Sequence, residues 1–256
     1  MILFELRDGL AVVRLNRPEK MNALSRAMLD ELNEAFSRIE REPDVRAVLL
    51  TSASDRAFCA GTDIGELAQL DEDAARLASE RGQGVCTIIE HCRVPVIAAV
   101  NGVAAGGGCE LALACHLRVA STNAQFSLPE TKLGIIPAYG GTQRLARIIG
   151  VGRALGMMLA GEVVSAEGAH AIGLVNRLTT PDQLFIEAKA LAREIMGLAP
   201  LAIRACLEAV TRGLELPLEE GLALEAELFS SLFSTEDMRE GTSAFLEKRA
   251  PVFRGK

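Results

Sequence analysis

Tryptophan is absent, tyrosine occurs once, and histidine occurs three times. Each histidine, His91, His116 and His170, stands alone in sequence and reads as structural. The six cysteines, Cys59, Cys86, Cys92, Cys109, Cys115 and Cys206, form no CxxC pair. A chain of 256 residues needs no disulfide staples, so free thiols in a reducing, cytoplasmic setting are expected. No apolar run approaches the ~18 residues of a membrane span, and the opening "MILFELRDGLAVVRLN" does not read as a leader. An excess of positive charge is missing too. The net charge of −7 argues against nucleic acid or an anionic membrane as the main partner. It leaves room for a local basic patch against a phosphorylated ligand. No GxxxxGK[ST] occurs, and the one approach to GxGxxG fails where Leu111 takes the third glycine position. No repeat, low-complexity stretch or linker interrupts the chain.

What remains is an ordinary globular balance, 49% apolar and 24% charged, in a chain long enough for a sizeable core. "ILFEL" and "LAVVRLN" around Asp8-Gly9 predict a hairpin. Ser25 opens a helix whose Met28, Leu29, Leu32, Ala35, Phe36 and Ile39 share one face. Buried-strand patterns at "VRAVLLTSA", "VIAAV" and "LRVAST" alternate with helical stretches, including one over Leu67–Ile89, and predict an α/β architecture with parallel strands. Short glycine-punctuated helices follow Gly140, then a last strand at "LVNRL" and a helix with Pro181 at its N-terminus. Everything after Pro200 reads as helix. The chain thus divides into a core over 1–197, carrying the site, and a helical region over 198–256. The apolar residues of "PLEEGLALEAELFSSLF" suit either another subunit or the chain's own core.

Three stretches carry candidate chemistry. In "AVNGVAAGGGCELALACH", glycines 106–108 precede a helix whose first N–H groups have no intrahelical partner and can meet an anion or a forming oxyanion. Glu110 lies in the first helical turn. It reads either as a partner for the helix dipole or as a desolvated carboxyl able to exchange protons near neutral pH. In "STNAQFSLPETKLGIIPAYGGTQRL", Glu130 follows Pro129, as a held carboxylate or a solvated loop acid. In "AFCAGTDIGEL", Ala60, Gly61 and Thr62 expose backbone after a strand. Asp63 reads as the N-cap of the next helix and the Thr62 N–H as the functional candidate.

Together "AGTDI", "PVIAAVNGVAAGGGCELALACH" and "FSLPETKLGIIPAYGGTQRL" resemble the enoyl-CoA hydratase/isomerase superfamily, the crotonase fold. "LNRPEKMNALS", "AGEVVSAEGAHAIGLVNRL" and "FLEKRAPVF" extend the resemblance along nearly the whole chain. It implies a superhelix of repeated ββα units with a helical C-terminal trimerisation region, and a homotrimer or hexamer. It implies that the N–H groups of Thr62 and Gly107 hold a thioester carbonyl, with Glu110 and Glu130 as the two catalytic glutamates of a hydratase. By the same resemblance Ala60, Asp63 and Ile64 contact the acyl-CoA thioester substrate, Tyr139 is a candidate substrate contact of this chain's own, and Arg17, Lys20 and Lys248 are candidates for the coenzyme A phosphates. Neither metal nor other cofactor is expected. The implied reaction adds water across the C2=C3 bond of a trans-2-enoyl-CoA. Isomerisation, or hydration of a branched or dicarboxylic enoyl-CoA, is the nearest alternative. A non-catalytic acyl-CoA- or RNA-binding protein is the second, opposed by the acidic charge and the paired glutamates. The chain departs from the family pattern at Gly65, where lysine is frequent, at "PAYGG" for "PGAGG", and at His116 for aspartate. Tyr139 can narrow the acyl pocket or simply pack.

Overall fold

The computed structural model describes Met1 to Lys256. Strands β1 (Ile2–Arg7) and β2 (Leu10–Leu15) pair antiparallel across Asp8 and Gly9. Both turn residues have positive φ, 51° and 79°, as a two-residue loop matched to strand twist requires. Helix α1 (Arg26–Arg41) begins where the Ser25 hydroxyl accepts the Met28 N–H, and it buries the six apolar residues of its expected face.

A unit then repeats three times: a strand in a large sheet, a short strand in a second sheet, and helix. The first is β3 (Ala47–Ser52), β4 (Ala57–Cys59), α2 (Ile64–Leu67) and α3 (Glu72–Glu90). The second is β5 (Val96–Val100), β6 (Val103–Ala105) and α4 (Gly107–Ala114). The third is β7 (Leu117–Ser121), β8 (Gln125–Ser127), a 3-10 turn at Glu130–Leu133, α5 (Gly141–Ile149) and α6 (Val151–Leu159). There follow β9 (Val164–Ser165), α7 (Ala166–Ala171), β10 (Arg177–Thr179), α8 (Leu184–Met196), α9 (Pro200–Gly213), α10 (Leu218–Leu232) and α11 (Glu236–Glu247).

The large sheet has the order β1-β2-β3-β5-β7-β10 and the small one β4-β6-β8-β9. Since β4, β6 and β8 run parallel, their C-terminal ends lie side by side. The loops that leave them, from Ala60, Gly106 and Leu128, therefore open at one edge, where ligands meet parallel sheets. Strand β5 is buried throughout, as a strand covered on both faces must be. One apolar cluster joins α1, α3, α4 and α5 to one face of the large sheet. A smaller one seats Leu184, Ala188 and Leu191 of α8 on Leu49, Ile97 and Val119 of the other.

Four boundaries differ from expectation. The last strand, expected at "LVNRL", spans only Arg177–Thr179, because the Leu174 and Val175 N–H groups turn back onto the Ala169 carbonyl. The stretch Leu67–Ile89 breaks into α2 and α3, because the Asp71 carboxylate takes the Ala74 N–H and starts a new helix. Pro181 lies in a turn closed by the Gln183 N–H on the Thr180 carbonyl, and α8 begins only at Leu184. The last helix stops at Glu247, where Lys248 turns left-handed at φ 57°.

Helix α4 crosses β4 so closely that a Cβ on Gly108 would lie 2.1 Å from the Cys59 carbonyl oxygen. That neighbour is backbone and cannot swing aside. Gly108→Ala is expected to destabilise the fold by about 1–3 kcal/mol, read as a lowered midpoint in thermal unfolding. An unchanged midpoint would contradict this packing.

Candidate active site

At the end of β4 the Ala60 N–H donates to the Met21 carbonyl. Gly61 has φ +105°, and a Cβ there would press on the Ala105 carbonyl oxygen at 2.9 Å. Leu24 donates to the Gly61 carbonyl and Asp63 donates to the Leu24 carbonyl, at 2.7 and 3.0 Å. In this parallel bridge between Leu24 and Thr62 the Thr62 N–H points away from the partner strand. At the end of β6 the Gly106 N–H donates to the Ser127 carbonyl, and Gly107 opens α4 with its N–H outside the helical ladder. The two loops touch: a Cβ on Gly61 would stand 3.6 Å from the Gly107 nitrogen. Two main-chain donors from neighbouring strand ends are thus brought together.

Glu110 lies in the first turn of α4 and is 2% exposed. Its Oε1 accepts the N–H groups of Tyr139 and Gly141, at 2.8 and 2.7 Å. Gly141 is the first residue of α5, so a helix N-terminus faces the carboxylate. Burial pushes the Glu110 pKa up, while those two donors and the Arg144 charge oppose the rise. Glu130 sits in the 3-10 turn after β8. Its Oε1 lies against Gly106, 2.9 Å from where a Cβ would be, and its buried Oε2 has no hydrogen-bond partner. Burial lifts its pKa to about 7, with the negative charge of Glu110 adding to the shift.

Both carboxyls line a cavity of about 730 Å³ together with Thr62 and Tyr139. Its remaining wall is largely apolar, from Leu24 just before α1, Leu29 within it, Ala74 and Ala78 of α3, and Ile135 and Ile136. The Tyr139 ring packs between Gly82 of α3 and Gly107, since a Cβ at Gly82 would lie 2.1 Å from ring carbon Cδ1. Burial raises the pKa of its hydroxyl, and the Thr62 hydroxyl opposes that.

The other expected contacts stand elsewhere. Asp63 caps α2, accepting from Gly65 and Glu66, and Arg17 donates to it at 2.7 Å and to the Ala23 carbonyl at 3.1 Å. The Arg17 hydrogen bond holds the Asp63 carboxyl below its ordinary pKa. The Arg17 charge is thus paired with Asp63 inside the chain. Ala60, Ile64, Lys20 and Lys248 do not border the cavity, and both lysines are exposed. The cations that do border it are Arg26 and Arg81. Sequence reading missed them because only the fold brings α1 and α3 to the cavity. His116 is structural: Nδ1 accepts the Val96 N–H and Nε2 donates to the Glu90 carbonyl. No group of three or more His, Cys, Asp or Glu side chains is placed to hold a metal ion.

A family model described as enoyl-CoA hydratase/isomerase matches residues 5–256. A crotonyl-CoA hydratase of Syntrophomonas wolfei is 41% identical over 252 residues, 98% of this chain and 97% of that protein. An (E)-benzylidenesuccinyl-CoA hydratase of Thauera aromatica is also 41% identical, over 256 residues and 99% of each chain. A crystal structure of an enoyl-CoA hydratase from Bacillus anthracis superposes with a TM-score of 0.96 at 39% identity, covering 100% of this chain and 99% of that one.

Glu130 supplies a stability test of the site. With a folded pKa of about 7, the folded chain keeps a proton that the unfolded chain releases near its ordinary carboxylate value of about 4.3. Its contribution to stability is whole below that lower value and is lost as pH rises through about 7. The thermal midpoint of the wild type should therefore fall relative to that of Glu130→Gln between about pH 5 and about pH 8. Parallel curves would contradict the raised pKa.

Proposed function

We propose that this chain, which belongs to the enoyl-CoA hydratase/isomerase family, adds water to a trans-2-enoyl-CoA through the Glu110–Glu130 pair and the Thr62 and Gly107 N–H groups. It is an enoyl-CoA hydratase, a hydro-lyase of the crotonase fold. The observation that carries the residue assignment is the contrast between the two carboxyls. Glu110 is anchored through Oε1 by two main-chain donors, an arrangement that favours its charged form. Glu130 keeps an orphaned oxygen and holds its proton up to about pH 7. Burial raises both carboxyls, but main-chain donors and the Arg144 charge oppose the rise at Glu110, and on that contrast Glu110 is assigned as the base and Glu130 as the acid.

In the forward direction Glu110 takes a proton from water as the water oxygen bonds to C3. The C2=C3 electrons shift toward the thioester, and negative charge gathers on its oxygen. The Thr62 and Gly107 N–H groups stabilise that oxygen, and losing one such donor typically costs about 3–4 kcal/mol. Glu130 then delivers its proton to C2, giving the 3-hydroxyacyl-CoA by syn addition. The pair finishes with the proton on Glu110 and resets by exchange. The two acids titrate as a unit, so pH–rate profiles report the pair. The thioester is the electron sink, and coenzyme A enters as part of the substrate, so the proposed reaction draws on no separate cofactor. The apolar wall suits an acyl chain, and Arg26, at the cavity, joins Arg17, Lys20 and Lys248 as a candidate for the phosphates. Relatives equal in identity are named for crotonyl and for benzylidenesuccinyl substrates, so the acyl group rests on this chain's own cavity. Fatty-acid or related acyl-CoA degradation is the setting that the reaction implies. The six free cysteines support a reducing, cytoplasmic location, and no helix is long and apolar enough to cross a membrane.

Helices α9 and α10 bury no residue within the chain. Leu214, Leu218 and Phe229 are 75%, 77% and 62% exposed, an apolar face that a homotrimer, alone or paired, would cover. Light scattering on the eluted protein should return about three or six times 27.3 kDa. A monomer would overturn this assembly.

Glu110→Gln and Glu130→Gln are each expected to lower kcat on crotonyl-CoA by about 100-fold or more while thioester binding is largely kept. Near-wild-type turnover in either variant would refute the assigned roles.

A further inference from the structure

Behind the site lies a buried cation to which the proposed chemistry gives no task. Arg144, on α5 one turn beyond Gly141, has a side chain only 13% exposed. Its Nη2 donates to Glu90 Oε2, at the end of α3, at 2.6 Å. Its Nη1 donates to the Tyr139 carbonyl at 3.0 Å. Its Nε has no partner, an unfavourable arrangement for a buried donor. The approach depends on Gly140, which has φ +105° and whose Cβ would lie 2.1 Å from Nη1. The gripped carbonyl belongs to the peptide unit between the two that present the Tyr139 and Gly141 N–H groups to Glu110.

We propose that Arg144, held by Glu90, is a positioning residue: it fixes the Tyr139–Gly141 bend and thereby aims and anchors the Glu110 carboxylate. A guanidinium suits the task because its planar fork reaches both partners at once, which a lysine cannot reproduce. Charge acts in the same direction as geometry. The titratable neighbours of Glu110 are Glu130 of the 3-10 turn, Tyr139 of the bend, Cys86 of α3, Cys109 of α4 itself and Arg144 of α5. Of these five only Arg144 brings positive charge. The inference rests on the reading of Glu110 as the base.

The test uses the full-length enzyme and crotonyl-CoA, with Arg144→Met, Arg144→Lys, Glu90→Gln, Glu110→Gln and the Arg144→Met/Glu110→Gln double variant. Arg144→Met should lower kcat on the order of 100-fold, as a misplaced catalytic group does, with KM changed by no more than about twofold. The acid-side limb of its kcat–pH profile should move to higher pH, because the charge that favours ionised Glu110 is gone. Arg144→Lys should return that limb toward the wild type while restoring kcat only in part. In the Glu110→Gln background Arg144→Met should add little further loss, because both act through one group. A folded Arg144→Met enzyme with wild-type kcat and an unmoved limb would overturn the proposal, as would a loss confined to KM or one that adds in full to that of Glu110→Gln. If Arg144→Met does not fold, Glu90→Gln decides: a smaller shift of the same limb supports the proposal, and a wild-type profile overturns it. A near-wild-type Glu110→Gln enzyme overturns the base assignment and this proposal with it. An inactive Glu110→Gln beside an unaffected Arg144→Met overturns this proposal alone.

Discussion

A carboxyl that is 2% exposed, in a helix whose other seven residues are glycine, alanine, leucine and cysteine, needs donors to offset its burial. Glu110 finds two, both main-chain N–H groups from one bend of the chain at Tyr139 and Gly141. The neighbourhood follows from that requirement. Helix α5 has to begin against α4 so that its first N–H faces Oε1. Gly141 has to be glycine, because a Cβ there would lie 2.9 Å from the Glu110 Cγ and Oε1. The bend is clasped from the far side by the Arg144–Glu90 pair, which joins α5 to the end of α3. One helix-capping interaction thus sets the packing of three helices and leaves one carboxylate oxygen uncommitted.

The second carboxyl is handled in the opposite way. Glu130 receives no such anchoring, and its buried Oε2 goes without a partner. Its proton stays on to about pH 7 because burial and the nearby negative charge both favour the neutral form. Placing the two acids in one cavity is the work of the small sheet, whose parallel strands end together. Gly61 and Gly106 let those ends approach and turn with positive φ. An acid held by two main-chain donors, an acid with an unpartnered oxygen, and two main-chain amides at the neighbouring strand ends are together what addition of water to a conjugated thioester calls for.

Much of this was legible in the sequence because it is local. The hairpin at Asp8-Gly9, the Ser25 cap and the buried face of α1 follow from turn chemistry and periodicity. The glycine run before Glu110 and the proline before Glu130 marked both acids, and the same segments carried the family resemblance. What escaped is tertiary. That Arg17 pairs with Asp63, 2.7 Å away and 46 positions later, was not visible either. The stretch Leu67–Ile89 carried one helical pattern, and the Asp71 cap divided it. Arg26 and Arg81 sit in segments with no motif and reach the cavity only because α1 and α3 border it. Arg144 lay within the recognised "GGTQRL" stretch, yet its task depends on Glu90, 54 positions earlier. A single sequence does not reveal which distant charges a fold brings together.

The central claim is that an acyl thioester lies with its oxygen on the Thr62 and Gly107 amides and its C2–C3 bond between the two acids. A crystal structure with butanoyl-CoA, the saturated analogue that cannot take up water, tests this directly. That thioester oxygen should lie within hydrogen-bonding distance of both amide nitrogens, with C2 beside Glu130 and C3 beside Glu110. A thioester bound with its oxygen turned away from those amides, or seated outside the cavity, would contradict it.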